Sequence, residues 1–206
     1  MRGNYDRNTV YEIIDEATIC HVGFEVNGQP FVIPTIHGRM EDKIVFHGAV
    51  ASRLLEHIST GKPICVTFTI VDALVLAKSI FHHSMNYRSA VVFGKGGIFE
   101  SDAEKLLALE AVSEHLLPGR WNEVRIPDEK ELNVTTVAYI QIESASAKKR
   151  VGPPIEDKND IDLENWSGVL PIRQTFLETI PADEFSASAG LPDSIKTAIE
   201  NQNSKR

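Results

Sequence analysis

Short runs of β-branched and aromatic residues, separated by turn signals, recur through much of this chain and constrain its fold more than any other feature. Two of them flank Asn27-Gly28, a dipeptide that favours a tight hairpin turn. The other runs are 43–47, 64–70, 73–77, 87–93 and 134–147. Because six or more strands stand beside few helices, we expect a mainly β protein: a β-barrel of largely antiparallel strands with peripheral helices.

Three segments have helical spacing. Residues 7–17 place apolar side chains on one face, and residues 52–58 begin a helix directly after the strand 43–47. Ser101 to Glu104 has the spacing of a capping box, which predicts a helix to about Leu117 with a leucine-rich apolar stripe. Residues 1–180 are expected to form one β domain that includes Trp166. Residues 181–206 are expected to form a C-terminal extension with a short helix near Ile195 and a frayed end.

The formal net charge of -8 argues against broad attraction to nucleic acid or to an anionic membrane surface. An anion site must therefore be local. Cys20 and Cys65 lie among apolar residues and indicate neither a disulfide framework nor a metal site. Since no signal-like or membrane-spanning apolar run is present, we expect a cytoplasmic protein.

The segment from His47 to Arg53 is the first candidate binding site. A strand ends, Gly48 turns the chain, and Ser52 with Arg53 begins a helix. Helix N–H groups and the helix dipole favour an anion there, and Arg53 can add a charge-assisted contact. On this segment alone, Ser52 as an ordinary helix cap beside a solvated Arg53 is the commoner arrangement.

Two further motifs favour a phosphate site over an ordinary helix cap at Ser52 and Arg53. The segment HGAVASR from residue 47 is followed by HHSMNYRSAVVFG from residue 82 and WSGVLP from residue 166. In this order and spacing the three resemble the pyridoxamine 5'-phosphate oxidase-like, FMN-binding split-barrel superfamily. The similarity is greatest to its branch of general stress and nitroimidazole-resistance-type flavoproteins, and it covers roughly residues 7–173.

The resemblance implies that Ser52 and Arg53 hold the phosphate of flavin mononucleotide (FMN). Arg88 and Ser89 match an Arg-Gln pair that faces the flavin in the oxidase branch, although serine replaces glutamine here. Residues 34–37 would lie on the strand that follows the isoalloxazine edge through backbone contacts. The cofactor-binding residues implied in this way are Pro34, Thr35, Ile36, His37, His47, Gly48, Ser52, Arg53, Arg88, Ser89 and Trp166.

Three aromatic positions have alternatives of their own. His37 or His47 would face substrate and are the candidate catalytic residues, but each is equally compatible with a hydrogen-bonded strand residue. Trp166 matches an aromatic residue that reaches the flavin across the subunit boundary of family dimers, which implies a homodimer. As an alternative, Trp166 anchors its own C-terminal segment.

Two other kinds of site have little support. His82 and His83 invite a metal site, but adjacent side chains on a strand point to opposite faces, and no carboxylate completes a ligand set. No G-x-S-x-G nucleophile motif is present for a hydrolase.

The resemblance therefore implies an FMN-dependent oxidoreductase acting on a small molecule, with a reduced nicotinamide as the candidate donor. True pyridoxamine phosphate oxidase activity is not expected, because Pro171 to Gln174 lacks that branch's arginine-histidine signature. Two alternatives remain open. One is a non-catalytic flavin-binding or flavin-storage protein, and the other is haem binding or degradation on the same barrel.

Overall fold

A computed structural model describes residues 3–204 of the chain. The chain forms two compact units, each built from three stretches of sequence. Unit 1 comprises the residues up to 35, 63–94 and 142–173, and unit 2 comprises 36–62, 95–141 and the residues from 174 onward. Antiparallel sheets with few helices confirm the predicted mainly β fold class. Across residues 3–204, no helix has the length and apolar character needed to cross a membrane.

Unit 1 is an antiparallel sheet with the strand order β1-β10-β7-β6-β2-β3, and β11 adds to β6. Helix α1 packs on β6, β7 and β10 through its apolar face. The elements are β1 (Gly3–Asn4), α1 (Arg7–Glu16), β2 (Cys20–Val26), β3 (Gln29–Thr35), β6 (Ile64–Leu76), β7 (Ser84–Gly94), β10 (Ser144–Arg150) and β11 (Gly168–Pro171). A 3-10 helix, Ile80–His82, connects β6 to β7.

Local signals set several of these elements. Asn27 and Gly28 adopt φ angles of 52° and 81°, so the turn between β2 and β3 uses the left-handed region that this dipeptide favours. Helix α1 begins where the Asp6 carboxylate accepts a hydrogen bond from the Thr9 amide at 2.9 Å. The predicted hairpin and first helix are therefore confirmed.

Unit 2 contains a four-stranded antiparallel sheet with the order β4-β5-β9-β8. A buried cluster of Val45, Phe99, Ala108, Val112 and Val137 joins this sheet to α3. The strands are β4 (Gly38–Met40), β5 (Lys43–Ala49), β8 (Gly96–Ile98) and β9 (Thr135–Gln141). The helices are α2 (Arg53–Ser59), α3 (Asp102–Leu116), α4 (Glu129–Asn133), α5 (Glu184–Ala189), α6 (Asp193–Ser204) and a 3-10 helix, Arg120–Glu123.

Two strand predictions were wrong in their boundaries. Residues 64–70 and 73–77 form the single strand β6, which continues through a bulge between Val71 and Ala73. Residues 134–147, expected as one strand, form β9 and β10 in different sheets. The break falls at residues 142 and 143, where polar and apolar residues keep alternating as the strand changes its partners.

The predicted apolar stripe of α3 also needs correction. In α3 the buried side chains are Ala108 and Val112, whereas Leu107 of the predicted stripe is 55% exposed. Small residues face β4 because the backbones approach closely: a Cβ at Gly38 would lie 2.8 Å from the Ala111 carbonyl. The helix expected near Ile195 is α6, which runs to Ser204, and residues 205–206 of the end that was expected to fray lie outside the described part.

Candidate functional site

The residues predicted to bind the cofactor lie on both units. Unit 2 carries Ile36, His37, His47, Gly48, Ser52 and Arg53, and unit 1 carries Pro34, Thr35, Arg88, Ser89 and Trp166. Within each unit, neighbouring strands and turns fix the local surroundings of these side chains.

The turn from β5 into α2 has the predicted strand-turn-helix form. The Ser52 amide donates to the Ala49 carbonyl at 2.9 Å, which closes the turn. The Ser52 hydroxyl accepts from the Leu55 amide at 3.5 Å and caps α2. Gly48 lies close to the helix, since a Cβ there would stand 3.2 Å from Leu55 Cδ1. Ser52 is thus a helix cap, as the local pattern suggested, at a turn that also exposes Arg53.

The donors at this turn fit a phosphate group. In the first turn of a helix, the backbone amides have no carbonyl one turn earlier to bond. Leu54 and Leu55 are buried and hold the helix in place, while Arg53 is exposed. Because α2 has only 7 residues, its dipole contributes little, and the Arg53 guanidinium carries most of the attraction. Backbone N–H groups beside an exposed guanidinium are a suitable donor set for a phosphate.

The two candidate catalytic histidines differ in accessibility. His47 is exposed near the end of β5, and partial desolvation lowers the pKa of its imidazole. A neutral ring at pH 7 can both accept and donate a hydrogen bond. His37 is fully buried, and its ring centroid lies 4.3 Å from that of His115 on α3. From this position His47, and not His37, has direct access to a small molecule in solvent.

Arg88 on β7 is held by two carboxylates of unit 1. Its Nη2 donates to Glu16 Oε1 and to Asp72 Oδ1, each at 2.7 Å, and its Nε donates to Asp72 Oδ2 at 3.0 Å. The hydrogen bonds that the guanidinium donates to Glu16 first, and then to Asp72, raise its pKa above the ordinary value. Arg88 therefore links the end of α1 to the bulge of β6. Ser89 beside it lies opposite Thr69 on β6 and Lys148 on β10.

Pro34 and Thr35 lie at the end of β3, the last strand of the unit 1 sheet, opposite His21 and Cys20 of β2. An edge strand offers its outer backbone groups for binding, as the resemblance implies for this segment.

Trp166 is 68% exposed, and its ring covers Gly168, where a Cβ would stand 2.8 Å from the ring. The following residues form β11, which pairs with β6 in the register Gly168 opposite Leu76. The apolar segment that begins at Trp166 is therefore docked on the sheet, while the indole remains accessible.

The partners of two predicted site residues were not expected from the sequence. Glu16 and Asp72 surround Arg88, and His115 packs on His37. Asp72 offered a signal, because it interrupts an otherwise apolar stretch.

His82 and His83 belong to a turn between strands, and not to a strand as expected. Among the described residues, no group of three or more His, Cys, Asp or Glu side chains is placed to hold a metal ion.

Comparisons with known proteins place these features in a family. The family described as pyridoxamine 5'-phosphate oxidase matches residues 6–149. The flavocytochrome Anf3 from Azotobacter vinelandii is 34% identical, with a TM-score of 0.86 over 96% of this chain and 92% of that chain. The FAD and haem binding protein from Mycobacterium smegmatis is 30% identical, with a TM-score of 0.90 over 96% of this chain and 97% of that chain.

A Bacteroides thetaiotaomicron structure described as a 5-nitroimidazole antibiotic resistance protein is more distant, at 23% identity and a TM-score of 0.59. The match covers 71% of this chain and 85% of that chain, and it shows a shared fold alone. No curated protein matches the sequence.

Proposed function

The chain belongs to the pyridoxamine 5'-phosphate oxidase family, and from this premise we propose that it binds a flavin whose phosphate lies at Ser52 and Arg53. The observation that carries the proposal is the donor set at the start of α2, where helix N–H groups lie beside an exposed guanidinium. Two relatives of nearly full-length similarity support it, one named a flavocytochrome and one named for FAD and haem.

FMN and FAD differ only beyond the first phosphate, where FAD carries an additional adenosine monophosphate group. The resemblance of the motifs implies FMN, whereas the Mycobacterium smegmatis protein is named for FAD. Both cofactors carry a phosphate next to the ribityl chain, so Ser52 and Arg53 suit either one. We keep FMN as the prediction and treat FAD as the alternative that direct titration with each cofactor decides.

The proposed activity is an oxidoreductase acting on a small molecule, with a reduced nicotinamide as the candidate donor. A bound flavin supplies the two-electron chemistry, and the protein supplies binding, orientation and hydrogen bonds. Ser52 and Arg53 fix the phosphate end, while neutral His47 is available to donate or accept a hydrogen bond at an exposed position. The free thiols of Cys20 and Cys65 are compatible with the reducing cytoplasm that we propose as the compartment.

The variant Arg53→Ala is expected to weaken flavin binding by roughly 10- to 100-fold, because a charge-assisted contact to the phosphate is lost. Quenching of flavin fluorescence on titration of FMN, and separately of FAD, measures the dissociation constants. Lys62→Ala is the matched control, since it removes an exposed cation just after the other end of α2. Equal affinity of Arg53→Ala and the wild type would remove Arg53 from the phosphate site.

Haem is the second candidate ligand. The Mycobacterium smegmatis relative is named for FAD and haem, and the Azotobacter vinelandii relative is named a flavocytochrome. We propose that this chain binds haem in addition to a flavin.

A flavin-storage protein is the alternative to the proposed oxidoreductase. It would bind flavin without turnover with a reduced nicotinamide.

A homodimer is the proposed assembly, and the C-terminal part of unit 2 supports it. Leu177, Ile180 and Phe185 are 81%, 93% and 80% exposed, an unusual amount of apolar surface for one short segment. A second copy of the chain would cover these side chains. The double variant Leu177→Asp and Ile180→Asp is expected to convert a dimer into a monomer in sedimentation equilibrium. A wild-type monomer, or a variant that stays dimeric, would contradict this role.

A further inference from the structure

The turn between β6 and β7 exposes two large apolar side chains beside two histidines. Ile80 and Phe81 are 83% and 86% exposed, among the most exposed apolar side chains of the described residues. Adjacent exposed apolar residues of this size are typical of a surface that contacts a ligand or a partner. His82 and His83 follow directly in the sequence, so the same turn presents apolar surface and imidazole groups together.

The base of this turn is held by several hydrogen bonds within unit 1. The Lys78 amide donates to the Glu156 carboxylate at 3.0 and 3.2 Å, and Lys78 Nζ donates to the Leu163 carbonyl at 2.6 Å. The His82 amide donates to the Ser79 carbonyl at 3.1 Å. The exposed side chains therefore project from an ordered support, which favours binding because little order must be gained.

The imidazole rings of His82 and His83 differ in their hydrogen bonding. His83 Nε2 lies 3.1 Å from the Ala77 carbonyl, so this ring is fixed against the backbone. The His82 ring is half-buried and stands edge-on to the Phe81 ring, with centroids 5.1 Å apart and planes at 89°. Within residues 3–204, neither ring nitrogen of His82 makes a hydrogen bond, which leaves an imidazole lone pair available for coordination.

We propose that this turn would bind haem: the His82 imidazole would be a ligand of the iron, and Ile80 and Phe81 would contact the porphyrin. Imidazole is a common protein ligand of haem iron, and the porphyrin presents a large apolar face. His83 is a positioning residue that fixes the turn through Ala77. The inference rests on the haem binding proposed above, and it uses residues different from the proposed flavin phosphate site.

The test is a haemin titration of the purified full-length chain, followed by the Soret band and by electron paramagnetic resonance of the ferric iron. The wild type is expected to show saturable binding with the signature of an imidazole ligand. Replacing a residue that only supports a metal ligand typically weakens metal binding by about 10- to 100-fold. Removal of the ligand itself in His82→Ala is therefore expected to lower haem affinity by roughly tenfold or more. Added imidazole should restore the ligand signature in this variant.

Two controls keep the test specific. His21→Ala removes another exposed histidine of unit 1 and should leave the spectra unchanged. The double variant Ile80→Ser and Phe81→Ser should weaken affinity while it keeps the imidazole signature, and its exposed positions should not disturb folding. Wild-type spectra in His82→Ala would overturn the assignment.

Flavin fluorescence in the same samples separates the two proposals. Bound flavin without haem binding by the wild type overturns the haem site alone. Failure to bind either cofactor overturns both the haem site and the proposed function.

Discussion

The variant Gly96→Ala is expected to lose about 3 kcal/mol of folding free energy, because the added methyl group has no space in unit 2. A Cβ at Gly96 would lie 2.4 Å from the carbonyl oxygen of Tyr139 and 2.4 Å from Ile58 Cγ2. The Ile58 side chain can adjust its rotamer, but the Tyr139 carbonyl belongs to the central strand β9. Relief of the contact therefore requires β8 and β9 to separate. Urea denaturation followed by circular dichroism measures the loss.

Gly23→Ala is the matched control for a glycine within a strand. The nearest atom to its added Cβ is the Cys65 carbonyl oxygen at 3.5 Å, an ordinary van der Waals contact. We expect a change within about 1 kcal/mol, since no backbone must move. Equal denaturation midpoints for Gly96→Ala and Gly23→Ala would show that β8 does not approach β9 and α2 as closely as described.

The variant Arg88→Met is expected to cost about 2 kcal/mol in the absence of any cofactor, because it leaves the half-buried Asp72 carboxylate without its cation. The contribution of Glu16 is smaller, since its side chain is 54% exposed and solvent screens the ion pair. Adding Asp72→Asn to Arg88→Met should recover part of the loss, so a double-mutant cycle over these two residues isolates their coupling.

Lys149→Met provides the control for loss of a surface cation. Lys149 lies directly opposite Arg88 on β10 and is exposed, so its replacement should change stability by less than about 0.5 kcal/mol. If Arg88→Met unfolds at the wild-type urea concentration but binds flavin more weakly, Arg88 serves the flavin as the sequence resemblance implies and not the ion pair.

Much of the fold could be predicted where local chemistry decides the structure. Asn27-Gly28 favours its turn whatever surrounds it, and the caps Asp6, Ser52 and Ser101 begin three of the helices that were expected. The change of sheet between β9 and β10 could not be predicted. Alternation with a period of two residues reports that a segment is extended but not which strand it pairs with.

In the candidate site, too, local features could be predicted from the sequence and nonlocal contacts could not. The turn at Ser52 and Arg53 is local and was predicted in its correct form. The surroundings of Arg88 were not, because Glu16 and Asp72 stand 72 and 16 positions away in the sequence. Likewise, the full burial of His37 against His115 depends on how α3 packs on β4. Nonlocal packing thus decides which polar side chains are held by protein and which remain accessible to a ligand.

The most direct test of the central claim is the absorbance spectrum of the purified full-length chain, recorded after incubation with FMN or FAD and removal of unbound cofactor by gel filtration. We expect flavin absorption bands to elute with the protein for at least one cofactor, and much less flavin to elute with Arg53→Ala. A folded wild-type protein that retains neither FMN nor FAD would contradict this expectation.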